Sequence, residues 1–200
     1  MNRPDRHNAF DETLIAELTA ACRALDVDES ARVVVLAGRG KSFSAGADLN
    51  WMKRAAGHAV EQNLDDARKL ATMLRALAEL RKPPVARVHG ADLGGGTGLA
   101  AACDICVAST AAVFATSEVR FGLIPATIGP YVLRAIGARQ AARYFLTAER
   151  IDSRRAWELG LVHELVEPEG LDARVREIVA ALLAGGPQAQ AAAKDLIRAV

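Results

Sequence analysis

The stretch Gly94-Gly95-Gly96-Thr97-Gly98-Leu99-Ala100-Ala101-Ala102-Cys103-Asp104-Ile105 decides how the chain is read. Three consecutive glycines open a short helix pattern, and an apolar strand pattern follows. Glycine lets a backbone approach something that a side chain would block. The first N–H groups of a helix lack intrahelical acceptors and sit at the positive end of its dipole. They can hold an anion, or a carbonyl oxygen gaining negative charge. The glycines alone are equally compatible with a plain hinge between strand and helix. The rest of the chain has to decide.

Working outward, the neighbouring segments alternate between strand and helix patterns. Upstream, Val85 to Gly90 reads as a strand, and Lys82-Pro83-Pro84 closes a helix running from about Val60 to Leu80. Before it, Ser42 to Asn50 is a loop of small residues around Gly46. It leaves Val33-Val34-Val35-Leu36-Ala37, a continuous β-branched run expected to be a strand buried on both faces. Leu14, Ile15, Leu18, Cys22 and Leu25 recur at helical spacing behind a cap at Asn8 or Asp11. Downstream, Asp104 to Ala108 and Val113 to Ala115 read as strands, and Thr116 to Arg120 as a connection. Helices follow over Thr127 to Ile136 and Ala138 to Leu146. A short helix is capped by Ser153 and ends at Gly160. Leu161 to Val166 is a strand, Leu171 to Leu183 an amphipathic helix, and a last helix begins after Pro187. The alternation predicts an α/β fold, layered around a mainly parallel sheet, in a single domain over residues 1–200.

Composition limits the function classes. Of 200 residues, 51% are hydrophobic and 24% charged, as in an ordinary globular chain with a real core. Aromatics supply only 4%, so Ala, Leu, Val and Ile must build the core. The 25 basic and 24 acidic residues leave a formal charge of +1, which argues against a nucleic-acid or membrane-surface footprint. No membrane-spanning run or leader is read, so a cytoplasmic location is the default expectation. Cys22, Cys103 and Cys106 are too few for a disulfide framework. Cys103-x-x-Cys106 lies in an apolar run without a second ligand pair and is expected in the core. His7, His58, His89 and His163 are scattered, so no metal site is expected.

Three segments together resemble the crotonase (enoyl-CoA hydratase/isomerase) superfamily. They are Ser42 to Asp48, Val88-His89-Gly90 through Gly94-Gly95-Gly96 to Ile105, and Ser117-Glu118-Val119-Arg120-Phe121-Gly122-Leu123-Ile124-Pro125. Asn2-Arg3-Pro4 with Asn8-Ala9, and Ala156 with Leu159 to Val162, also fit. Within the superfamily, Ala47 to Lys53 and Leu123 to Val132 are similar to bacterial methylglutaconyl-CoA hydratases of leucine breakdown. Relatives of those act on branched acyclic-terpenoid acyl-CoAs.

The resemblance implies a spiral of β-β-α turns with flanking helices, in place of plain parallel layers. It implies an acyl-CoA thioester substrate, coenzyme A being part of that substrate and no separate cofactor being needed. It implies a homotrimer or a homohexamer. It also implies that the family's first strand and C-terminal helices are missing from these 200 residues. By motif position, the N–H groups of Ala47 and Gly95 would form an oxyanion hole for the thioester. Ala45, Asp48 and Leu49 would contact the coenzyme. Arg6 would lie near its phosphates, or be merely a solvated charge.

Many family hydratases use two glutamates. Glu118 matches the second position, and Gly98 stands at the first. Gly98 falls three residues after Gly95, on the same helix face. Its lack of a side chain either makes room for the acyl chain or permits tight packing. One carboxylate suits double-bond isomerisation, and it suits hydration if another group positions the water. The resemblance favours a hydratase acting on a branched, methylglutaconyl-type acyl-CoA. The alternatives are an isomerase using a single Glu and a non-catalytic acyl-CoA-binding protein.

Overall fold

A computed structural model describes all residues 1–200. Four strands form the main sheet: β1 (Val34–Ala37), β2 (Pro84–Val88), β4 (Ile105–Ser109) and β7 (Glu164–Val166). Their order is β1-β2-β4-β7, all parallel, with Val35 opposite Val85 and Val85 opposite Ile105. A second sheet contains β3 (Ala91–Leu93), β5 (Val113–Ala115) and β6 (Ile151–Asp152). β3 and β5 are parallel, while β6 is antiparallel to β5. Isolated bridges from Ser44 to Asp92 and from Phe10 to Ala47 extend this sheet through the 44–47 segment.

Each turn of the chain therefore lays one strand in each sheet and then adds helix. β2 and β3 lead to α4 (Gly95–Ala102); β4 and β5 lead to α5 (Gly129–Thr147). β1 and the 44–47 segment lead to α2 (Leu49–Ala55) and α3 (Val60–Ala78). This is a spiral of β-β-α turns, as the resemblance implied. The short strands of the second sheet carry too few residues to show a period in sequence, which hid the arrangement from the plain layered reading.

The core lies between these turns. α1 (Glu12–Val27) packs Leu14, Ile15 and Cys22 against Met73, Leu74 and Leu77 of α3. Phe10, Phe43, Phe114, Leu99 and Ile128 fill the centre and are essentially inaccessible. Burial of a side chain of this size stabilises by about 1.5–3 kcal/mol. On the far side of the main sheet, Leu171 and Val175 of α7 (Leu171–Ala184) cover Val85 and Val107. α6 (Ser153–Glu158) and α8 (Pro187–Ala199) complete the chain. No helix is long and apolar enough to cross a membrane.

Several expectations change. β1 is an edge strand and is not buried on both faces: Val35 is 43% exposed, because only β2 pairs with it. α6 is capped by Asp152 and not by Ser153; the Asp152 carboxylate accepts from the Arg155 N–H, whereas Ser153 Oγ donates to the Thr110 carbonyl. The two helices expected after Thr127 form one stretch, broken where Gly137 takes φ 73° and ψ 156°. α2, β3 and β6 have no counterpart in the sequence reading. All three cysteines are free and buried, as expected of core residues. His7, His89 and His163 bond to Ser42, the Gly40 carbonyl and the Cys106 N–H respectively, and serve the fold.

Candidate active site

The site forms where the 44–47 segment meets the first turn of α4. Asp11 caps α1 through the Leu14 N–H and receives the Arg3 guanidinium, which draws its carboxyl down to about 2. That anchors Phe10 just before the helix. The Phe10 N–H donates to the Gly46 carbonyl, and the Phe10 carbonyl accepts from the Asp48 N–H, each at 2.7 Å. Successive N–H groups along a strand point to opposite sides. The N–H of Ala47 is thereby turned away from Phe10, and it makes no hydrogen bond.

Gly95 opens α4, and its N–H also lacks an acceptor. Its α-carbon lies flat on the Phe10 ring: a Cβ there would stand 2.4 Å from a ring carbon. Phe10 thus touches both expected donors, Ala47 through the backbone and Gly95 through the ring. Gly46 (φ 82°) presses on Leu93 and Gly94, so that a Cβ on it would meet the Leu93 carbonyl oxygen at 2.7 Å. Gly94 takes φ 52° and ψ −119°, a conformation open to glycine and costly for other residues. Two free N–H groups on adjoining backbone segments, one at a helix N-terminus, are the kind of donor pair that can hold a developing oxyanion.

Glu118 stands at the mouth of that site. It begins a short 3₁₀ turn, Glu118–Phe121, after β5. A Cβ on Gly94 would be 3.4 Å from Glu118 Oε1 and 3.7 Å from Ser117 Oγ. Glu118 Oε2 is buried without a hydrogen-bond partner. Burial raises the Glu118 carboxyl above the ordinary glutamate value, which suits a group that must both take and return a proton.

Gly98 leaves no open room. A Cβ built on it would stand 2.2 Å from Ile128 Cγ2 and 2.7 Å from Ile128 Cβ. Of the two readings of Gly98, space for the acyl chain is corrected to tight packing of α4 on Ile128. Sequence spacing could not foresee this, since Ile128 arrives from a later turn of the spiral.

The expected coenzyme contacts lie on one side of the hole. Asp48 caps α2, accepting from the N–H groups of Asn50 and Trp51. Arg6 approaches it at 3.8 Å and keeps its side chain 57% exposed. Ala45 is half-buried and Leu49 exposed beside them. Between α3 and the start of α5 is a cleft of about 600 Å³. Arg68, Thr72, Arg75, Thr127 and Tyr131 line it, and neither arginine forms an ion pair. The sequence reading missed this cleft: Arg68 and Arg75 are exposed on α3, and only the fold brings Thr127 and Tyr131 beside them.

With this geometry in hand, comparison with known proteins is specific. A family model described as enoyl-CoA hydratase/isomerase matches residues 1–200. A short-chain-enoyl-CoA hydratase of Clostridium acetobutylicum is 34% identical, over 98% of this chain and 75% of that protein. Among curated relatives, the chain spans between 65% and 79% of their own length. A crystal structure of an enoyl-CoA hydratase from Shewanella pealeana superposes with a TM-score of 0.96 at 45% identity, over 98% of this chain and 74% of that one. Pseudomonas aeruginosa AtuE gives 0.95 at 38% identity, over 98% and 77%.

Proposed function

The chain belongs to the enoyl-CoA hydratase/isomerase family, and we propose on that premise that it hydrates an enoyl-CoA thioester. The observation that carries the reading is the Glu118 carboxyl, its Oε2 buried and unpartnered, beside Gly94 and the unbonded N–H of Gly95. The thioester oxygen accepts from Ala47 and Gly95. Water adds its oxygen to the β-carbon and gives a proton to the Glu118 carboxylate. The electron pair of the double bond moves to the enolate, whose charge rests on the held oxygen. Glu118 then returns the proton to the α-carbon, leaving a 3-hydroxyacyl thioester. Donors fixed before reaction favour the enolate over the ground state, by a few kcal/mol each.

A branched acyl chain ending in a carboxylate, of the methylglutaconyl type, is the substrate we favour. The cleft between α3 and the start of α5 supports it, with apolar Ala67, Ala71 and Pro130 for the branch and the exposed Arg68 and Arg75 for the charge. Arg6, Ala45, Asp48 and Leu49 would receive the coenzyme. Turnover of purified protein on 3-methylglutaconyl-CoA and on an uncharged short enoyl-CoA tests both levels. Equal kcat/KM on the two esters removes the carboxylate reading, and no turnover on either removes the hydratase.

The missing second carboxylate favours isomerisation as the other reading. There Glu118 would move one proton between two carbons with no water added. Offering a 3-enoyl thioester and following formation of the 2-enoyl product separates the two. Assembly into a homotrimer or homohexamer is proposed from the resemblance, and light scattering on the purified chain tests it.

A further inference from the structure

The carboxyl group of Asp92 lies beneath the first turn of α4 with no partner. It is fully buried, and neither oxygen has a hydrogen bond. Its Oδ1 packs on Gly96, where a Cβ would stand only 2.5 Å away. Gly96 is the residue after the Gly95 donor. β3 pairs Asp92 with Phe114 of β5 and bridges it to Ser44 of the 44–47 segment, which carries the Ala47 donor. Asp92 therefore touches the supports of both halves of the oxyanion hole.

The surroundings hold no cation. α4 offers Gly96 and Thr97, and the Thr97 hydroxyl donates to the Asp92 backbone carbonyl, not to its carboxyl. The 44–47 segment offers Ser44, and β5 offers Phe114. From β4 comes Cys106, a buried thiol pushed up by desolvation and, to a lesser degree, by the nearby Asp92 carboxyl. Glu118 stands farther round, at Gly94. Desolvation alone raises Asp92 well above the ordinary carboxylate range. An ionised carboxylate with no counter-charge is costly in such a place.

We propose that Asp92 is a positioning residue that acts as a neutral acid: uncharged, it supports the first turn of α4 and leaves the oxyanion hole positive, and ionised, it discharges the hole. A negative charge under Gly96 opposes the same enolate that Gly95 and Ala47 stabilise. The hole is then competent only while Asp92 keeps its proton. The inference rests on the thioester-binding reading above.

The test is infrared spectroscopy of the full chain holding butanoyl-CoA labelled with ¹³C at the thioester carbonyl, a saturated ester that cannot turn over. Wild-type protein at pH 7 should lower the carbonyl stretch of the bound ester and show a protonated-carboxyl band that Asp92→Asn lacks. Raising the pH should reduce the carbonyl shift in wild type as that band disappears. In Asp92→Asn and in Asp92→Ala, neither of which can ionise, the shift should persist across the range. Should one variant not fold, the other still reports. Wild type and variant following the same pH course would overturn the proposal alone, as would the absence of an Asp92 carboxyl band at pH 7. No carbonyl shift in wild type at pH 7 would overturn both the thioester reading and the inference that rests on it.

Discussion

Ile128 Cγ2 occupies the place that a side chain on Gly98 would need, 2.2 Å from its Cβ position. The contact joins α4 to the residue just before α5. With Ile128 in place, no carboxylate fits three residues after Gly95. The contact also makes Gly98 and Ile128 a single unit for substitution.

Gly98→Ala should be destabilising although alanine is the better helix former. Helix propensity returns about 1 kcal/mol, while overpacking a tight core costs about 1–3 kcal/mol. Gly98→Glu should lose more, and Gly98→Glu with Ile128→Ala should recover much of the loss. Thermal unfolding reads this directly, at roughly 2–4 °C per kcal/mol for a chain of this size. A Gly98→Glu protein as stable as wild type would show that the contact yields freely.

Glu118→Gln keeps the shape of the side chain and removes its proton transfer. Hydration should fall by about 10²–10⁴-fold in kcat. Affinity for a saturated acyl-CoA should stay within about threefold. In wild type, the acid limb of kcat/KM should lie above the ordinary glutamate value, because burial raises the free Glu118 carboxyl. Activity then rises with pH through that limb, as the carboxylate form accepts the proton of water. An acid limb unchanged in a residually active Glu118→Gln protein would assign it to another group.

Asp92 also couples stability to pH. Its folded value is raised, so above the usual aspartate range the unfolded chain releases a proton that the native chain keeps. The stability it contributes is complete below the unfolded value and is lost as pH rises toward the folded one. Asp92→Asn should therefore gain in Tm relative to wild type between pH 4 and pH 8. A constant difference across that range would remove the titration.

Lys194 of α8 reaches Asp104, just before β4, in an ion pair that is largely out of solvent on the lysine side. Burial is the largest influence on both partners, lowering Lys194 and raising Asp104, and the pairing works against it. Removing Asp104 strands the buried Lys194, and that cost approaches the roughly 3–5 kcal/mol of a buried pair, whereas Asp104 left alone can still reach water. Asp104→Leu should destabilise more than Lys194→Met, and the double variant should cost less than their sum. Chemical denaturation of the four proteins closes the cycle; strict additivity would mean that the two charges do not interact.

Arg6→Ala should raise KM for an acyl-CoA and leave kcat nearly unchanged, because Arg6 is exposed and its ion pair is with Asp48, not with Glu118. A fall in kcat with KM unchanged would contradict a role confined to the coenzyme.

Much of this was legible before the structure, because the informative residues come in contiguous runs. Glycines at 94–96 mark a backbone that something approaches. Val60 to Leu80 has a helical period long enough to read. Glu118 became readable only with its flanking residues, since a lone glutamate in a connection is ordinarily a surface charge. β3 escaped notice because three residues show no alternation, and its buried member is an aspartate. β1 looked doubly buried because its composition is that of a central strand, and sequence does not say which strand lies at an edge. The collision at Gly98 depends on a residue thirty positions on, and no local pattern encodes it.

Phe10 has a consequence for how the protein acquires activity. Its backbone is tied to Gly46 and Asp48, and its ring rests on Gly95, so three distant stretches must meet before the two donors are set. Contacts of such long sequence separation carry a large loop-closure cost and form late. Local helix in α1 and α3 can appear quickly without them. Refolding chains should therefore regain helical signal well before they regain thioester binding. The proposed oxyanion hole is then a late product of assembly, and Phe10 is where its timing is set.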